Sequence, residues 1–72
     1  MAQMVYLGHT IQADVIHYED IGQYHGGCVI TRPDGSQSGR IACNDPMYTR
    51  SEKETLQLSL KRGVEVISAG EF

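Results

Sequence analysis

The sequence has no tryptophan and a single phenylalanine among its 72 residues, so its core must consist mainly of aliphatic side chains. A chain of this length forms one domain at most and buries only about 60% of the surface that its unfolded form exposes. No apolar run approaches the roughly 20 residues of a membrane-spanning helix, and no N-terminal segment has the pattern of a signal peptide. We therefore expect a single cytoplasmic domain over residues 1–72, with a thin core and no membrane partner.

Clustered positive charge is lacking as well. Six lysine and arginine residues are outnumbered by nine aspartate and glutamate residues, and the formal net charge is −3. Because proteins that coat nucleic acid neutralise phosphates with clustered basic side chains, this balance argues against a nucleic-acid partner. A local basic patch is compatible with the count, and its candidates are three residues toward one side of the predicted helix: Arg50, Lys53 and Lys61.

Cysteines at metal-binding or redox spacing are missing. Cys28 and Cys43 belong to no CxxC pattern, so we interpret them as reduced thiols that pack as small hydrophobic residues. The alternative is a zinc site that combines them with His17 and His25, since zinc takes imidazole and thiolate ligands in a tetrahedron. The spacing matches neither a zinc finger nor a zinc ribbon, so we expect no metal and no cofactor.

Motifs for catalysis are missing too. The glycines form no phosphate-binding loop, because no Gly-Lys-Ser/Thr pattern leads from a strand into a helix. Cysteine chemistry could use Cys28 with His25, or Cys43 with His17, but a catalytic cysteine should be partly exposed in an electropositive setting. A cysteine within a strand is more typical of packing. We therefore predict no enzymatic activity.

Extended segments are what the sequence does contain. Alternating or β-branched patterns predict one short strand and three longer ones. The short strand is Met4–Leu7, and the longer strands are Thr10–Tyr18, Tyr24 to about Arg32, and Gln37 to about Cys43. In the first long strand Ile11, Ala13 and Val15 share the face that we expect to be buried. Gly26-Gly27 within the second indicates a bulge, a bend or a close backbone approach.

The turn Pro33-Asp34-Gly35-Ser36 joins the last two of these strands in a hairpin. With Asp34-Gly35 at the centre of the loop, we expect Arg32 to pair with Gln37 and Cys28 to lie opposite Ile41. Paired residues point to the same face of a sheet. The core face then carries Cys28, Ile30, Ile41 and Cys43, and the other face carries Val29, Thr31, Arg40 and Ala42.

A helix is predicted after the sheet, which Asn44-Asp45-Pro46 ends. Thr49-Arg50-Ser51-Glu52 fits a capping box and places the start near Thr49, while Ser51 with Glu54 offers the same device two residues later. Leu56 and Leu60 follow at helical spacing, and we expect them to face four sheet residues: Ile11, Val15, Ile30 and Ile41.

The end of this helix has two readings. Lys61-Arg62-Gly63 is typical of a helix C-terminus, which would make residues 64–67 a fourth strand. Val64 and Ile67, however, continue the stripe of Leu56 and Leu60, and an interior glycine costs only about 1 kcal/mol relative to alanine. We favour a helix that continues toward Ile67. The predicted architecture is α+β, with one C-terminal helix on one face of a three-stranded antiparallel sheet.

Three short segments resemble a type of small uncharacterised bacterial βββα protein. They are Tyr6-Leu7-Gly8-His9-Thr10-Ile11, Pro33-Asp34-Gly35, and Thr49-Arg50-Ser51-Glu52 running on to Leu60 and Gly63. A weaker likeness is to the N-terminal half of HicB-type antitoxins, which also place a helix on a small sheet. The resemblance implies the fold and carries no activity with it.

One helix covers only one face of a sheet, so the other face should carry an apolar patch. We expect that patch to mark a partner or self-association surface. Its candidates are Tyr6, Ile16, Tyr18, Val29 and Ala42, with Leu58 on the helix flank as a further contact. The sequence thus favours a non-enzymatic interaction module that pairs with itself or with another protein through the outer sheet face. The alternative is a nucleic-acid-linked regulator similar to an antitoxin.

Overall fold

The computed structural model describes residues 2–70, and these form seven strands and one helix. In chain order the elements are β1 Gln3–Tyr6, β2 His9–Ala13, β3 Ile16–Tyr18, β4 Gln23–His25, β5 Gly27–Thr31, β6 Ile41–Ala42, β7 Tyr48–Thr49 and α1 Glu52–Ser68. The α+β class and the single C-terminal helix are confirmed. The predicted strand number is wrong, because the strands are shorter, more numerous and divided between two sheets.

Both sheets are antiparallel. The large sheet has the strand order β1-β2-β5-β6, and the small sheet has the order β3-β4-β7. Each of the two longest predicted strands is split between them: Thr10–Tyr18 becomes β2 and β3, and Tyr24–Arg32 becomes β4 and β5. The second split falls at the buried Gly26, as expected for a glycine at a bend. The first split, between Ala13 and Ile16, has no such signal, because both halves keep their extended backbone.

The β5–β6 hairpin confirms one end of the predicted register and corrects the other. Cys28 lies opposite Ile41, but Gln37 bridges Thr31 instead of Arg32. Ser38 lies opposite Ile30: its backbone N–H donates to the carbonyl of Ile30 at 2.8 Å, and its Oγ accepts from the N–H of Ile30 at 2.9 Å. Between Ser38 and Ile41 the chain has two residues, whereas the facing part of β5 has one, so this side of the hairpin contains a bulge.

Helix α1 begins at the second of the two predicted caps. The Ser51 Oγ accepts a hydrogen bond from the N–H of Glu54 at 3.2 Å, whereas Thr49 is part of β7. The helix then passes through Gly63 and ends at Ser68. The helical reading of residues 64–67 is therefore confirmed, and the fourth-strand alternative is wrong.

The buried face of α1 differs from the predicted leucine stripe. Its buried residues are Thr55, Ser59, Gly63, Val66 and Ile67, whereas Leu56, Leu60 and Val64 lie half-buried beside them. Small side chains occupy the centre because the helix lies very close to β2. A Cβ on Gly63 would be 2.5 Å from the Cγ2 atom of Ile11. Gly63 thus marks close helix–sheet packing and not the end of the helix.

The core lies between α1 and the large sheet. It is centred on Ile11, Cys28, Ile30, Val66 and Ile67, and partly buried side chains of Met4, Tyr6, Ile41, Leu60 and Val64 pack against it. The placement of Tyr6 on the uncovered face is therefore wrong. Within residues 2–70, no helix is long and apolar enough to cross a membrane.

We expect Gly63→Ala to lower the free energy of unfolding by roughly 1 kcal/mol, with an upper bound of about 2 kcal/mol. Overpacking against Ile11 costs about 1–3 kcal/mol, and the gain in helix propensity offsets only about 1 kcal/mol of it. Urea unfolding measures the change, and Gln57→Ala on the exposed side of α1 is the control. In an Ile11→Ala background the same substitution should cost less, because the clashing side chain is gone. An equal cost in both backgrounds would contradict the close packing.

Candidate interaction surface

Arg40 connects the two sheets on the side away from the helix. Its Nε donates to the Asp14 Oδ2 at 3.0 Å, and its Nη2 donates to the backbone carbonyls of Asp14 at 2.9 Å and His25 at 3.3 Å. The guanidinium lies over Gly27, where a Cβ would be 2.6 Å from its Cζ atom. Asp14 follows β2 and His25 ends β4, so one side chain binds both points where the chain passes between the sheets.

The Arg40 contact determines how His25 is protonated. The Arg40 Nη1 lies 3.4 Å from the His25 Nδ1. Because a guanidinium can only donate, this contact requires a neutral ring with Nδ1 as the acceptor and the hydrogen on Nε2. The Nε2 atom is buried and has no hydrogen-bond partner within the described residues. Burial, together with the nearby Arg40 charge, lowers the pKa of His25.

Two tyrosines dominate the outer face of the small sheet. Ile16, His25 and Tyr48 lie side by side across its three strands, and Tyr18 is two residues beyond Ile16 on the same face. We call this group of four residues the tyrosine face. Its rings contact one another: Tyr18 and Tyr48 meet edge to face at 5.9 Å between centroids, and His25 lies 5.2 Å from Tyr48. Ile16, Tyr18 and Tyr48 are 38%, 37% and 41% exposed.

The opposite face of the small sheet borders the helix. His17, Tyr24 and Thr49 lie side by side there, with the His17 and Tyr24 rings stacked at 4.3 Å and 11°. The Thr49 hydroxyl hydrogen-bonds the Thr55 hydroxyl of α1. Beyond that contact the helix leaves open a cavity of about 300 Å³, which is lined by Val15, His17, Tyr24, Glu52 and Leu56.

The predicted interaction residues are only partly brought together. Ile16 and Tyr18 share the tyrosine face, whereas Val29 and Ala42 lie half-buried on the large sheet, on the side away from α1. Tyr6 lies on the helix side, where its hydroxyl is 3.0 Å from the Ser68 Oγ.

Leu58 lies at a different place from the tyrosine face. It is half-buried on α1 and lines a second cavity, of about 240 Å³, together with Lys61, Arg62 and the segment from Cys43 to Pro46. A patch that joins Leu58 to the sheet residues is therefore not formed within one copy of the chain.

The four residues of the zinc hypothesis are not brought together. His17 and His25 lie on opposite faces of the small sheet, while Cys28 and Cys43 are buried free thiols on the helix side of the large sheet. Within residues 2–70, no group of three or more histidine, cysteine, aspartate or glutamate side chains could hold a metal ion. Burial raises the pKa of both thiols, which keeps them protonated and poorly nucleophilic at neutral pH.

The predicted basic residues are exposed but interleaved with acids. Arg50 precedes the helix, and Lys53 and Lys61 lie on it. Glu52 and Glu54 occupy the first turn, and Glu65 follows Lys61 by one helical turn. A nucleic-acid contact through these three basic residues remains a prediction.

Sequence reasoning missed the residues that organise this region. Arg40 was predicted only as one member of the outer face, His25 only as a metal or catalytic candidate, and Tyr48 was not singled out. Gly26-Gly27 was the available signal, because paired glycines indicate a close approach by another group. The sequence does not show that the group is the side chain of Arg40.

No protein-family model, curated protein or solved structure matches this chain. The two resemblances drawn from the sequence remain predictions.

We expect Arg40→Ala to lower the free energy of unfolding by roughly 2–3 kcal/mol, since hydrogen bonds to a charged group are lost and acceptors are left unpaired. Arg40→Lys should recover only part of this loss, because a single ammonium group cannot reach all the acceptors of the guanidinium fork. Urea unfolding measures both variants, and Arg50→Ala is the exposed control. Equal stability of Arg40→Ala and Arg50→Ala would contradict the bridging role.

We expect acid to destabilise the fold through His25. The unfolded chain gains a proton on this ring near pH 6.5, whereas the folded chain, with its lowered pKa, gains it only at lower pH. Stability from the neutral ring is therefore complete above about pH 6.5 and is lost as the pH falls toward the folded pKa. The measurement is the urea midpoint between roughly pH 7.5 and pH 5.

His25→Gln should flatten this pH dependence, because an amide oxygen can accept from Arg40 without titrating. His9→Gln, at the start of β2, is the matched control and should keep the decline. If His25→Gln declined as steeply as the natural chain, another group would be responsible.

Proposed function

We propose that this chain is a cytoplasmic, non-enzymatic protein-interaction module that forms a homodimer through the tyrosine face. The distribution of exposed apolar residues carries the proposal. Seven large hydrophobic residues are exposed in the described part of the chain. Three of them, Ile16, Tyr18 and Tyr48, lie on the small sheet, and two more, Ile21 and Met47, lie in the loops that lead into β4 and β7. Concentrated apolar exposure of this kind is typical of interaction sites.

The chemistry of the tyrosine face suits a tight contact. Tyrosine supplies a large, rigid contact area with a hydroxyl that can stay solvated, and it is enriched among the residues that dominate binding energy. The edge-to-face contact between Tyr18 and Tyr48 already orders both rings in the free chain. Less rotamer entropy is then lost when a partner covers them.

A second copy is the partner that fits this surface best. In a two-fold dimer the same patch meets itself, so it must tolerate its own charges. The charged pair beside the tyrosine face is internally balanced, because Arg40 and Asp14 neutralise each other at 3.0 Å. The core is also thin, with seven buried hydrophobic residues between residues 2 and 70, and burial of further apolar surface in a dimer would stabilise the folded state.

A role without catalysis is supported by the state of the candidate reactive groups. The two thiols are buried with raised pKa values, and the ring of His25 accepts a hydrogen bond from Arg40. These groups act in packing and in linking the sheets.

Ile16→Lys tests the proposal. We expect the natural chain to be dimeric. The dissociation constant of the Ile16→Lys dimer should be at least roughly tenfold higher, because a lysine at the centre of the patch meets its own copy across the two-fold axis. Sedimentation equilibrium measures the dissociation constant. Val5→Lys is the matched control, since Val5 is 69% exposed on the large sheet and should not affect association.

Two results would overturn the proposal. One is a natural chain that stays monomeric up to roughly 1 mM. The other is equal weakening by Ile16→Lys and Val5→Lys. Salt-dependent nucleic-acid binding that is lost on charge reversal of Arg50 and Lys61 would favour the regulator alternative instead.

A further inference from the structure

We propose that the cavity between the small sheet and the start of α1 binds a basic side chain, arginine or lysine, from a partner protein. The cavity lies on the face of the small sheet opposite the tyrosine face. It is therefore a second site, and it does not depend on the dimer.

Four separate segments build this cavity. Val15 comes from the crossing between the sheets, His17 and Tyr24 come from β3 and β4, and Glu52 and Leu56 come from α1. Glu52 and Leu56 are four residues apart, so they lie on one side of the helix, one turn above the other. Val15, Tyr24 and Leu56 are half-buried, while His17 and Glu52 are exposed at the rim.

The lining matches an aliphatic stem that ends in a cation. Val15 and Leu56 are aliphatic and can contact the methylene groups of a long basic side chain. Tyr24 supplies an aromatic ring that attracts a cation, and its stacking on His17 holds it in place. The Glu52 carboxylate then lies at the rim, where it can pair with the cationic head.

The charge balance of the helix start supports a cation over an anion. A bare helix N-terminus attracts anions through its unpaired N–H groups. Here the Ser51 Oγ accepts from one of these groups, and two carboxylates, Glu52 and Glu54, lie in the first turn. An anionic ligand in the cavity would therefore meet the like charge of Glu52 at its rim, whereas a basic side chain meets a complementary one.

Titration of the full chain with short peptides, monitored through its amide chemical shifts, tests the site. The probes are Ac-Gly-Arg-Gly-NH2, its lysine counterpart, and a citrulline counterpart that has nearly the shape of arginine without its charge. We expect shifts at Val15, Tyr24 and Leu56, a dissociation constant on the order of 1 mM for so small a ligand, and at least roughly fivefold weaker binding of citrulline. Glu52→Gln should weaken arginine binding by a similar factor.

Matched variants separate this site from its neighbours. Glu54→Gln removes the same charge two residues farther along the helix and should leave binding intact. Ile16→Lys should dissociate the dimer without affecting peptide binding, so that this proposal and the homodimer can fail independently. Equal binding of the arginine and lysine peptides supports a site for basic side chains in general.

Three outcomes would overturn the inference. The first is equal binding of the citrulline and arginine peptides, which would leave only an apolar groove. The second is a Glu52→Gln variant that binds as the natural chain does. The third is the absence of shifts at the cavity residues up to roughly 10 mM peptide, where a side-chain site of this size should be mostly filled.

Discussion

Two adjacent glycines, Gly26 and Gly27, are contacted so closely from opposite sides that neither has room for a Cβ atom. On the helix side, a Cβ on Gly26 would lie 2.9 Å from the Cys43 Sγ and 3.1 Å from the Ser59 Oγ. On the other side, a Cβ on Gly27 would lie 2.6 Å from the Arg40 Cζ. The Gly27 N–H also donates to the Ser59 Oγ at 3.1 Å. This crossing point therefore brings the helix close to the large sheet and lets Arg40 join that sheet to the small one.

The close approach of the helix accounts for the surfaces that remain open. A helix packed through small residues such as Ser59 and Gly63 lies centrally over β2 and β5, and its leucines move to the edges of the contact. The small sheet turns away at the crossing points, and the described part of the chain is elongated, with extents of 39 × 20 × 18 Å. Helix α1 contacts the small sheet through Thr55, whose hydroxyl hydrogen-bonds the Thr49 hydroxyl of β7. The tyrosine face and the cavity at Glu52 are the two uncovered sides of that sheet.

The parts of the fold that follow from local chemistry could be predicted. The alternation around Ile11, the opposition of Cys28 and Ile41, and the α-helix through Gly63 each depend on near neighbours in the sequence. The candidate site was predicted only in part. Ile16 and Tyr18 were placed on an uncovered sheet face, whereas Tyr6 was assigned to the wrong side. The chain reverses at Leu7-Gly8, and the pairing of Met4 with Ile11 and of Tyr6 with His9 places Tyr6 on the same face as Ile11, toward the helix.

The sequence by itself determined the α+β class, the presence of one C-terminal helix, and the hairpin that carries Arg40, because periodicity, caps and turn residues act over a few positions. Only the tertiary structure decided where long strands break, which helix face is buried, and which side chains meet at the glycine pair. Those outcomes depend on how closely two backbones approach. In this chain the deciding contacts, Gly63 with Ile11 and Gly27 with Arg40, join residues that are separated in the sequence. A glycine in the sequence indicates that another group approaches closely, but it does not show which group that is.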